Sequence, residues 1–495
     1  MRRLAGRSEN LMTQSPQFDV LILGAGLSGI GAACHLTRKL PHKSYAILER
    51  RDAIGGTWDL FRYPGIRSDS DMSTFGYNFR PWREPKVLAD GPSIKRYVSE
   101  TAQQYDVIPK IRFGRKVVHA AWSSSASMWT ITTHREGSDE VERWTARHII
   151  TATGYYNYDA GYTPDYPGLK RYKGRLVHPQ HWPEDLDCAG KKVVVIGSGA
   201  TAITLVPSLA RLGAKVTMLQ RSPTYVVSVP AIDPLWSKLS RFLPARSVYT
   251  ATRARNIGMQ RALYVASRER PRVVKRLLRR LTKRQLGDKV DLKHFSPAYN
   301  PWDERLCVVP DGDLFRVLRR GQAQIVTDTI KSFDAKGITL DSGDHLEADV
   351  VVSATGLDLQ LFGGAAMSID GEPVEISERM AYKGMMIEGI PNMLVIFGYT
   401  NASWTLKADI VCEHYCRLIA LMDKRKASTV TPQANGAQRT DDTIMGSLSS
   451  GYVRRGADRL PRQGNKAPWA VLNDYLRDAA TLKFGRVKSK ALQIR

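Results

Sequence analysis

The chain has 495 residues, enough for two or three domains with substantial cores. Its composition is that of ordinary globular proteins, and no apolar run reaches the roughly 18 residues that a membrane-spanning helix requires. Five scattered cysteines exclude a disulfide framework and favour reduced thiols in the cytoplasm.

The pattern of a fold begins after a charged leading segment. Residues 1–17 lack the apolar core of a secretory signal, and we expect a disordered tail there. Residues 18–23 then predict a buried strand, followed at once by the glycine turn 24–29 and a helix over 30–40. A second strand, 45–48, ends at Glu49. Strand, glycine turn, helix, strand and acid form the context in which GxGxxG predicts a dinucleotide site.

The residues of this first unit suit FAD. Gly24 makes the tight turn, Gly26 lets the backbone approach a pyrophosphate, and Gly29 allows close packing of helix on strand. Ser28, in the same turn, belongs to the predicted contact set, and the N-terminus of the helix that follows presents amide donors. Glu49 can accept both ribose hydroxyls, and its charge repels a 2′-phosphate.

A second unit repeats the pattern with one informative exchange. Residues 192–196 and 215–219 predict strands, with a helix over 204–212 between them. The predicted contacts in the turn are Gly197, Ser198, Gly199, Ala200, Thr201 and Ala202. The second strand ends in Gln220 and Arg221, where the first unit has an acid. Because a cation there favours a 2′-phosphate, this site is predicted to bind NADPH.

Two further apolar strands, 148–154 and 349–356, each end in Ala-Thr-Gly. Small residues at these ends allow the backbone to pass close to a bound dinucleotide. We interpret both as crossings between domains, which predicts an α/β fold of two Rossmann-like dinucleotide-binding domains. The NADPH domain, 160–356, would be inserted into an FAD domain formed by 18–159 and 357–495, the latter with the C-terminal region.

The net charge of +25 is concentrated in a basic helical segment, 236–292. From Pro271 onward, Val274, Leu277, Leu278 and Leu281 share one predicted helical face, among many lysines and arginines. A solvated face that attracts an anionic cofactor is the preferred interpretation. Peripheral contact with the inner face of an anionic membrane is the alternative. Nucleic-acid binding is disfavoured because no recognition motif accompanies the charge.

A motif before the second unit carries a family resemblance. Tyr172, Gly174, His178, Trp182 and Pro183 follow the spacing of a motif that usually begins with Phe. In this respect the chain resembles class B flavoprotein monooxygenases of the Baeyer–Villiger type. It is especially similar to the bacterial group that includes the mycobacterial ethionamide-activating monooxygenase. His178 is interpreted as orienting the hinge between domains rather than as a proton carrier.

The resemblance implies further site residues. A second family motif spans 55–69 and implies flavin contacts through Gly56, Thr57, Trp58, Asp59 and Leu60. It also places Arg67, Ser68 and Asp69 between flavin and nicotinamide, and Val117 on the adenine side of FAD. No metal site is predicted. Trp404 and the helical run 406–421 resemble the segment that closes over the flavin, and Trp404 is left out of the catalytic set.

The same resemblance makes Arg305 the active-site arginine and Asp69 its partner through a paired hydrogen bond. The family reaction forms a C4a-peroxyflavin from O2, and a guanidinium stabilises both this anion and the oxyanion of its carbonyl adduct. The family often has Lys just before this arginine. Glu304 stands there instead, so that Arg221 has less help in selecting NADPH.

The resemblance therefore implies an enzyme that uses FAD, NADPH and O2 to convert ketones into esters, with oxidation of sulfides or thioamides as a second activity. The main alternative is a soft-atom oxygenase that acts on sulfur or nitrogen without ketone activity. A flavin disulfide reductase is disfavoured because no cysteine pair lies near either glycine turn. A basic membrane- or partner-binding protein with a vestigial flavin fold is the third alternative.

Overall fold

A computed structural model of the chain describes residues 17–446, 448 and 450–495. Of the predicted tail, 1–16 lies outside these residues. Gln17 already belongs to the first strand, Gln17–Leu23, one residue before the predicted start.

The first sheet is built around the strand Gln17–Leu23, whose residues from Val20 onward are buried. It pairs in parallel with Tyr45–Leu48 on one side and with Val141–Thr151 on the other. In spatial order the strands are Glu372–Pro373, Ala366–Ile369, Arg115–Ser123, Met128–Arg135, Val141–Thr151, Gln17–Leu23, Tyr45–Leu48 and Ile111–Arg112, with Met393–Val395 also paired to Val141–Thr151. The sheet thus combines an early and a late part of the chain.

The second sheet is parallel throughout and comes from the middle of the chain. Its order is Ala323–Thr327, Lys215–Gln220, Lys192–Ile196, Val350–Ser353 and Arg175–Val177. Val193, Val195 and Val352 are fully buried, as expected for parallel strands covered on both faces. The first sheet is mixed, with a parallel part around the strand Gln17–Leu23, and the second is wholly parallel. Together they confirm the predicted α/β fold with two Rossmann-like units, and the chain order of their strands agrees with the proposed insertion.

Helices and smaller sheets complete the fold. The α-helices are Leu27–Lys39, Thr57–Leu60, Met72–Phe75, Gly91–Gln104, Ala200–Arg211, Pro234–Leu239, Ala245–Glu269, Pro271–Leu286, Asp313–Arg319, Trp404–Arg425, Gly451–Gly456 and Tyr475–Asp478. Four small sheets of two strands pair Val226–Val229 with Cys307–Pro310, Ala381–Tyr382 with Met386–Ile387, Val430–Pro432 with Leu492–Ile494, and Arg439–Thr443 with Arg462–Gly464. A three-stranded sheet consists of Ile330–Phe333, Gly337–Leu340 and His345–Glu347. Among the described helices, none combines the length and the apolar character that crossing a membrane requires.

The helices and strands agree in type with the sequence prediction, but their first and last residues differ by a few positions. The first helix begins at Leu27, directly after Gly26 and three residues before its predicted start. The helix near the C-terminal part runs over Trp404–Arg425, longer than the predicted 406–421. Helix ends commonly differ by a few residues from the bounds that local patterns indicate.

Candidate active site

A cavity of about 800 Å³ lies where the two sheets face each other. Both glycine turns line it, together with the segments that contain Asp69 and Arg305. The carboxyl ends of parallel strands meet at such a crevice, which is where α/β proteins bind their ligands.

Two glycines of the first turn, Gly24 and Gly29, have no room for a side chain. Gly24 has φ of +104°, and a Cβ atom there would lie 2.7 Å from the carbonyl oxygen of Ala152. A Cβ atom at Gly29 would lie 1.8 Å from the carbonyl oxygen of Gly24. Gly56 also lies close to this turn, since a Cβ atom on it would be 3.0 Å from the Gly26 Cα. The turn therefore leaves bare backbone beside the N-terminus of the helix Leu27–Lys39, which suits a pyrophosphate.

Glu49 is buried behind this turn, at the end of its strand. Its carboxylate accepts hydrogen bonds from the backbone amides of Ala25, at 2.6 Å, and Arg51, at 2.8 Å. Burial raises the pKa of Glu49 above its ordinary value, although these amides act in the opposite direction. Each oxygen keeps a second lone pair. Glu49 can therefore still accept a ribose hydroxyl, and these residues fit the adenosine end of FAD.

The second glycine turn repeats the geometry. Gly197 has φ of +137°, and its Cβ atom would lie 2.4 Å from the carbonyl oxygen of Ala354, whereas the space beside Gly199 is open. Arg221 lines the cavity. Gln220 is turned inward, where its Nε2 donates to the carbonyl of His294 at 2.8 Å and to Oγ1 of Thr327 at 2.9 Å. Arg221 is thus the residue of this pair that is placed to meet a ligand.

The sequence analysis missed a second cation at this end of the cavity. Arg454 comes from the short helix Gly451–Gly456 and lines the cavity together with Arg221 and Glu304. Burial raises the pKa of Glu304, while the charges of Arg454 and Arg221 act in the opposite direction. About 230 residues separate the two arginines, and no local pattern links them. They nevertheless surround the same acid.

Arg305 and Asp69 meet in the cavity. The Nη2 atom of Arg305 lies 3.4 Å from Oδ2 of Asp69, and each side chain is about one-third exposed, at 34 % and 36 %. The two described side chains form an ion pair without the paired hydrogen bond that was expected from sequence. The negative charge of Asp69 raises the already high pKa of Arg305, which stays charged at every physiological pH. Tyr452, a neighbour that the sequence analysis missed, also lies close enough for the charge of Arg305 to oppose the rise in its pKa that burial causes.

Other predicted residues divide into two sets. The residues that line the cavity are Gly26, Ser28, Thr57, Trp58, Arg67, Ser68, Asp69, Gly197, Ser198, Gly199, Ala200, Thr201, Arg221 and Arg305. Those outside its lining are Gly24, Gly29, Glu49, Gly56, Asp59, Leu60, Val117, Ala202 and Gln220.

Three residues of the flavin motif have partners within the protein. Asp59 is buried and accepts hydrogen bonds from Arg51 at 2.9 Å and Lys95 at 2.6 Å. Arg67 pairs with Asp313, with Nη1 and Oδ2 2.7 Å apart. Leu60 packs in the core beneath the second sheet. Their positions suit support of the loop, whereas Thr57 and Trp58 face the cavity.

His178 also lines the cavity, and its surroundings hold the ring in place. Its Nδ1 accepts a hydrogen bond from the backbone amide of Gln180 at 3.2 Å. A Cβ atom at Gly161 would lie 1.9 Å from the ring. Burial lowers the pKa of His178, so that the ring is neutral near pH 7. This environment supports the hinge role proposed from sequence.

Trp404 ties the late segment of the chain to the first glycine turn. Its Nε1 donates to Oγ of Ser28 at 2.8 Å, and its ring stacks on Tyr155 with centroids 5.2 Å apart. Both contacts join the helix Trp404–Arg425 to the wall of the cavity.

Removing the hydrogen bond between Trp404 and Ser28 tests how much it contributes to the stability of the fold. Trp404→Phe keeps an aromatic ring but leaves Ser28 without its donor, and we expect the free energy of unfolding to fall by about 1 kcal/mol. Urea unfolding of the flavin-loaded protein measures it. Trp182→Phe is the matched control for loss of indole volume, and an equal fall in both variants would contradict the assignment.

Comparison with known proteins decides the family. Residues 18–362 match the family described as FMO-like, flavin-binding monooxygenase-like. The chain belongs to this family. It is 53% identical over 469 residues to a probable FAD-binding monooxygenase, AlmA, of Acinetobacter baylyi, covering 94% of each chain. In Mycobacterium tuberculosis, the putative FAD-containing monooxygenase MymA is 54% identical over 94% of this chain and 95% of its own length. The FAD-containing monooxygenase EthA is 51% identical over 96% and 97%.

Solved structures of other monooxygenases share the fold. An oxidised steroid monooxygenase bound to NADP superposes with a TM-score of 0.74 at 21% identity, over 97% of this chain and 99% of that chain. An open structure of cyclohexanone monooxygenase gives 0.73 at 20% identity, over 97% and 100%. The predicted family and fold are confirmed. The names of the sequence relatives give FAD, and the steroid monooxygenase structure is bound to NADP, in agreement with the predicted cofactors FAD and NADPH.

Proposed function

We propose that this flavin monooxygenase is a Baeyer–Villiger enzyme, which consumes NADPH and O2 and converts ketones into esters. The observation that carries the proposal is the ion pair of Arg305 with Asp69 in the cavity between the two glycine turns. A fixed cation at that place suits a reaction in which negative charge develops on oxygen.

Residues at different places along the cavity have different roles in binding and catalysis. The turn at Gly26 with Glu49 holds FAD, and the turn at Gly199 with Arg221 holds NADPH. When bound, the two cofactors supply the electrons that activate O2. Arg305 stabilises the negative charge on the transferred oxygen and on the carbonyl oxygen of the substrate, while Asp69 orients the guanidinium. Tyr155, Phe397 and Trp404 provide apolar walls that exclude water from the reaction.

Product mass tests this proposal most directly. Purified protein with FAD, NADPH, ¹⁸O2 and a medium-chain aliphatic ketone is expected to form an ester that carries one heavy oxygen. A thioether assayed in parallel distinguishes the soft-atom oxygenase, which would give labelled sulfoxide and no ester. Consumption of NADPH with hydrogen peroxide as the sole product would contradict oxygen transfer to either substrate.

A cytoplasmic location is also proposed. All five cysteines are free and buried, which suits a reducing compartment.

A further inference from the structure

The helix Pro271–Leu286, called the basic helix below, has one buried face. Val274, Leu278 and Leu286 are at most 6% exposed. Val274 and Leu278 pack with Tyr225 and Leu306 in a small apolar cluster. This face secures the helix to the rest of the protein and accounts for half of its apolar residues.

The remaining apolar residues form an exposed stripe, defined here as Val273, Leu277 and Leu281. These side chains are 58%, 50% and 43% exposed, and their spacing of four places them on one side of the helix. The sequence analysis had put Val274, Leu277, Leu278 and Leu281 on one helical face. In the structure the neighbouring elements cover only part of that face, so that Val274 and Leu278 are buried whereas Leu277 and Leu281 are exposed.

Positive charge runs beside this exposed stripe. The basic helix contains seven lysines and arginines and no acid. Arg276, Arg280 and Arg284 also recur every fourth residue, so that they flank the stripe on one side. Within the described part of the chain, none of these three arginines has a carboxylate oxygen within 4.0 Å. Their charges are therefore available to an external anion.

We propose that the basic helix binds the surface of a membrane rich in anionic lipids. The exposed stripe would enter the boundary between headgroups and acyl chains, and the three arginines would pair with lipid phosphates. Amphipathic helices that lie in this interface combine the same two features, apolar side chains and flanking basic residues.

The charge and the apolar residues of the basic helix favour a lipid surface over a second copy of the chain or a nucleic acid. A symmetric contact between two copies of the basic helix would bring two strongly positive surfaces together. A nucleic acid would satisfy the arginines but leave the three apolar side chains without a partner, whereas a lipid surface satisfies both sets.

The membrane contact would lie close to the candidate active site. The buried face of the basic helix packs on Leu306, which follows Arg305 in the chain. One helix diameter, about 10 Å, would thus separate the lipid surface from the segment that carries the active-site arginine. The inference does not depend on which substrate is oxidised.

Flotation with lipid vesicles tests the proposal on the flavin-loaded full chain. We expect binding to vesicles that contain phosphatidylglycerol and none to vesicles of phosphatidylcholine alone, at about 0.1 M salt. The combined variant Arg276→Gln, Arg280→Gln and Arg284→Gln should bind at least about tenfold more weakly. Substitution of exposed lysines at Lys215, Lys331 and Lys336 by Gln removes the same charge elsewhere and should leave binding unchanged.

The exposed stripe is tested separately from the charge. Leu277→Ser with Leu281→Ser should weaken vesicle binding about tenfold, whereas Leu212→Ser, another exposed leucine, should not. Because the native cysteines are buried, Leu277→Cys can carry a polarity-sensitive dye, which should shift its emission to the blue on anionic vesicles.

Three outcomes would overturn the proposal. The first is that the protein does not bind anionic vesicles, and the second is that the variants of the basic helix bind them as well as the control variants do. The third is that the dye on Leu277→Cys keeps the emission it has in water when anionic vesicles are added. A change of oligomeric state in the Leu277 and Leu281 variant, without vesicle binding by the parent, would assign the exposed stripe to a second copy of the chain.

Discussion

Arg305→Ala is expected to lower ester formation by about a hundred- to a thousandfold while the protein keeps its FAD. The guanidinium is the charged group that faces the cavity beside Asp69, and removal of one donor to a developing oxyanion has this magnitude of effect. NADPH oxidation should continue, with hydrogen peroxide as the main product. The ratio of ester to peroxide, measured together with flavin absorbance, reports the effect.

Arg305→Lys provides the matched control, since it keeps the charge and loses the planar fork. Its ester yield should lie between those of the parent and Arg305→Ala. If Arg305→Ala makes ester at the rate of the parent with a full complement of FAD, the role assigned to Arg305 is wrong.

Arg221→Ala is expected to raise the KM for NADPH about ten- to a hundredfold with little effect on NADH. A charge-assisted hydrogen bond to a phosphate is worth about 1.5–3 kcal/mol, which corresponds to this range. Steady-state kinetics with both nucleotides measure the difference. Equal changes for NADPH and NADH would remove the 2′-phosphate role of Arg221.

Glu304→Gln should act in the opposite direction. The carboxylate lies among the charges of Arg221 and Arg454, where it repels a phosphate and competes for both cations. We expect its removal to lower the KM for NADPH several-fold, and Arg454→Ala to raise it. Unchanged KM values in both variants would show that Arg221 selects the phosphate without these neighbours.

Most of the cofactor geometry could be predicted from local patterns. The first glycine turn could be recognised from its sequence because a Cβ atom on Gly24 or Gly29 would collide with nearby backbone, so that only glycine fits there. The acid after one strand and Arg221 after the other are likewise local features. Arg305 and Asp69 required the family motifs, since an arginine and an aspartate more than 200 residues apart carry no spacing signal of their own.

The sequence by itself determined the two nucleotide-binding units and the order in which they occur along the chain, because strand, glycine turn and helix are set by neighbouring residues. The tertiary structure alone decided which distant side chains share the cavity. It brought Arg454 beside Glu304, Tyr452 beside Arg305 and Trp404 against Ser28. It also divided the apolar residues of the basic helix into a buried and an exposed stripe. Periodicity shows that a helix has an apolar side, but the elements that pack against it decide how much of that side is covered.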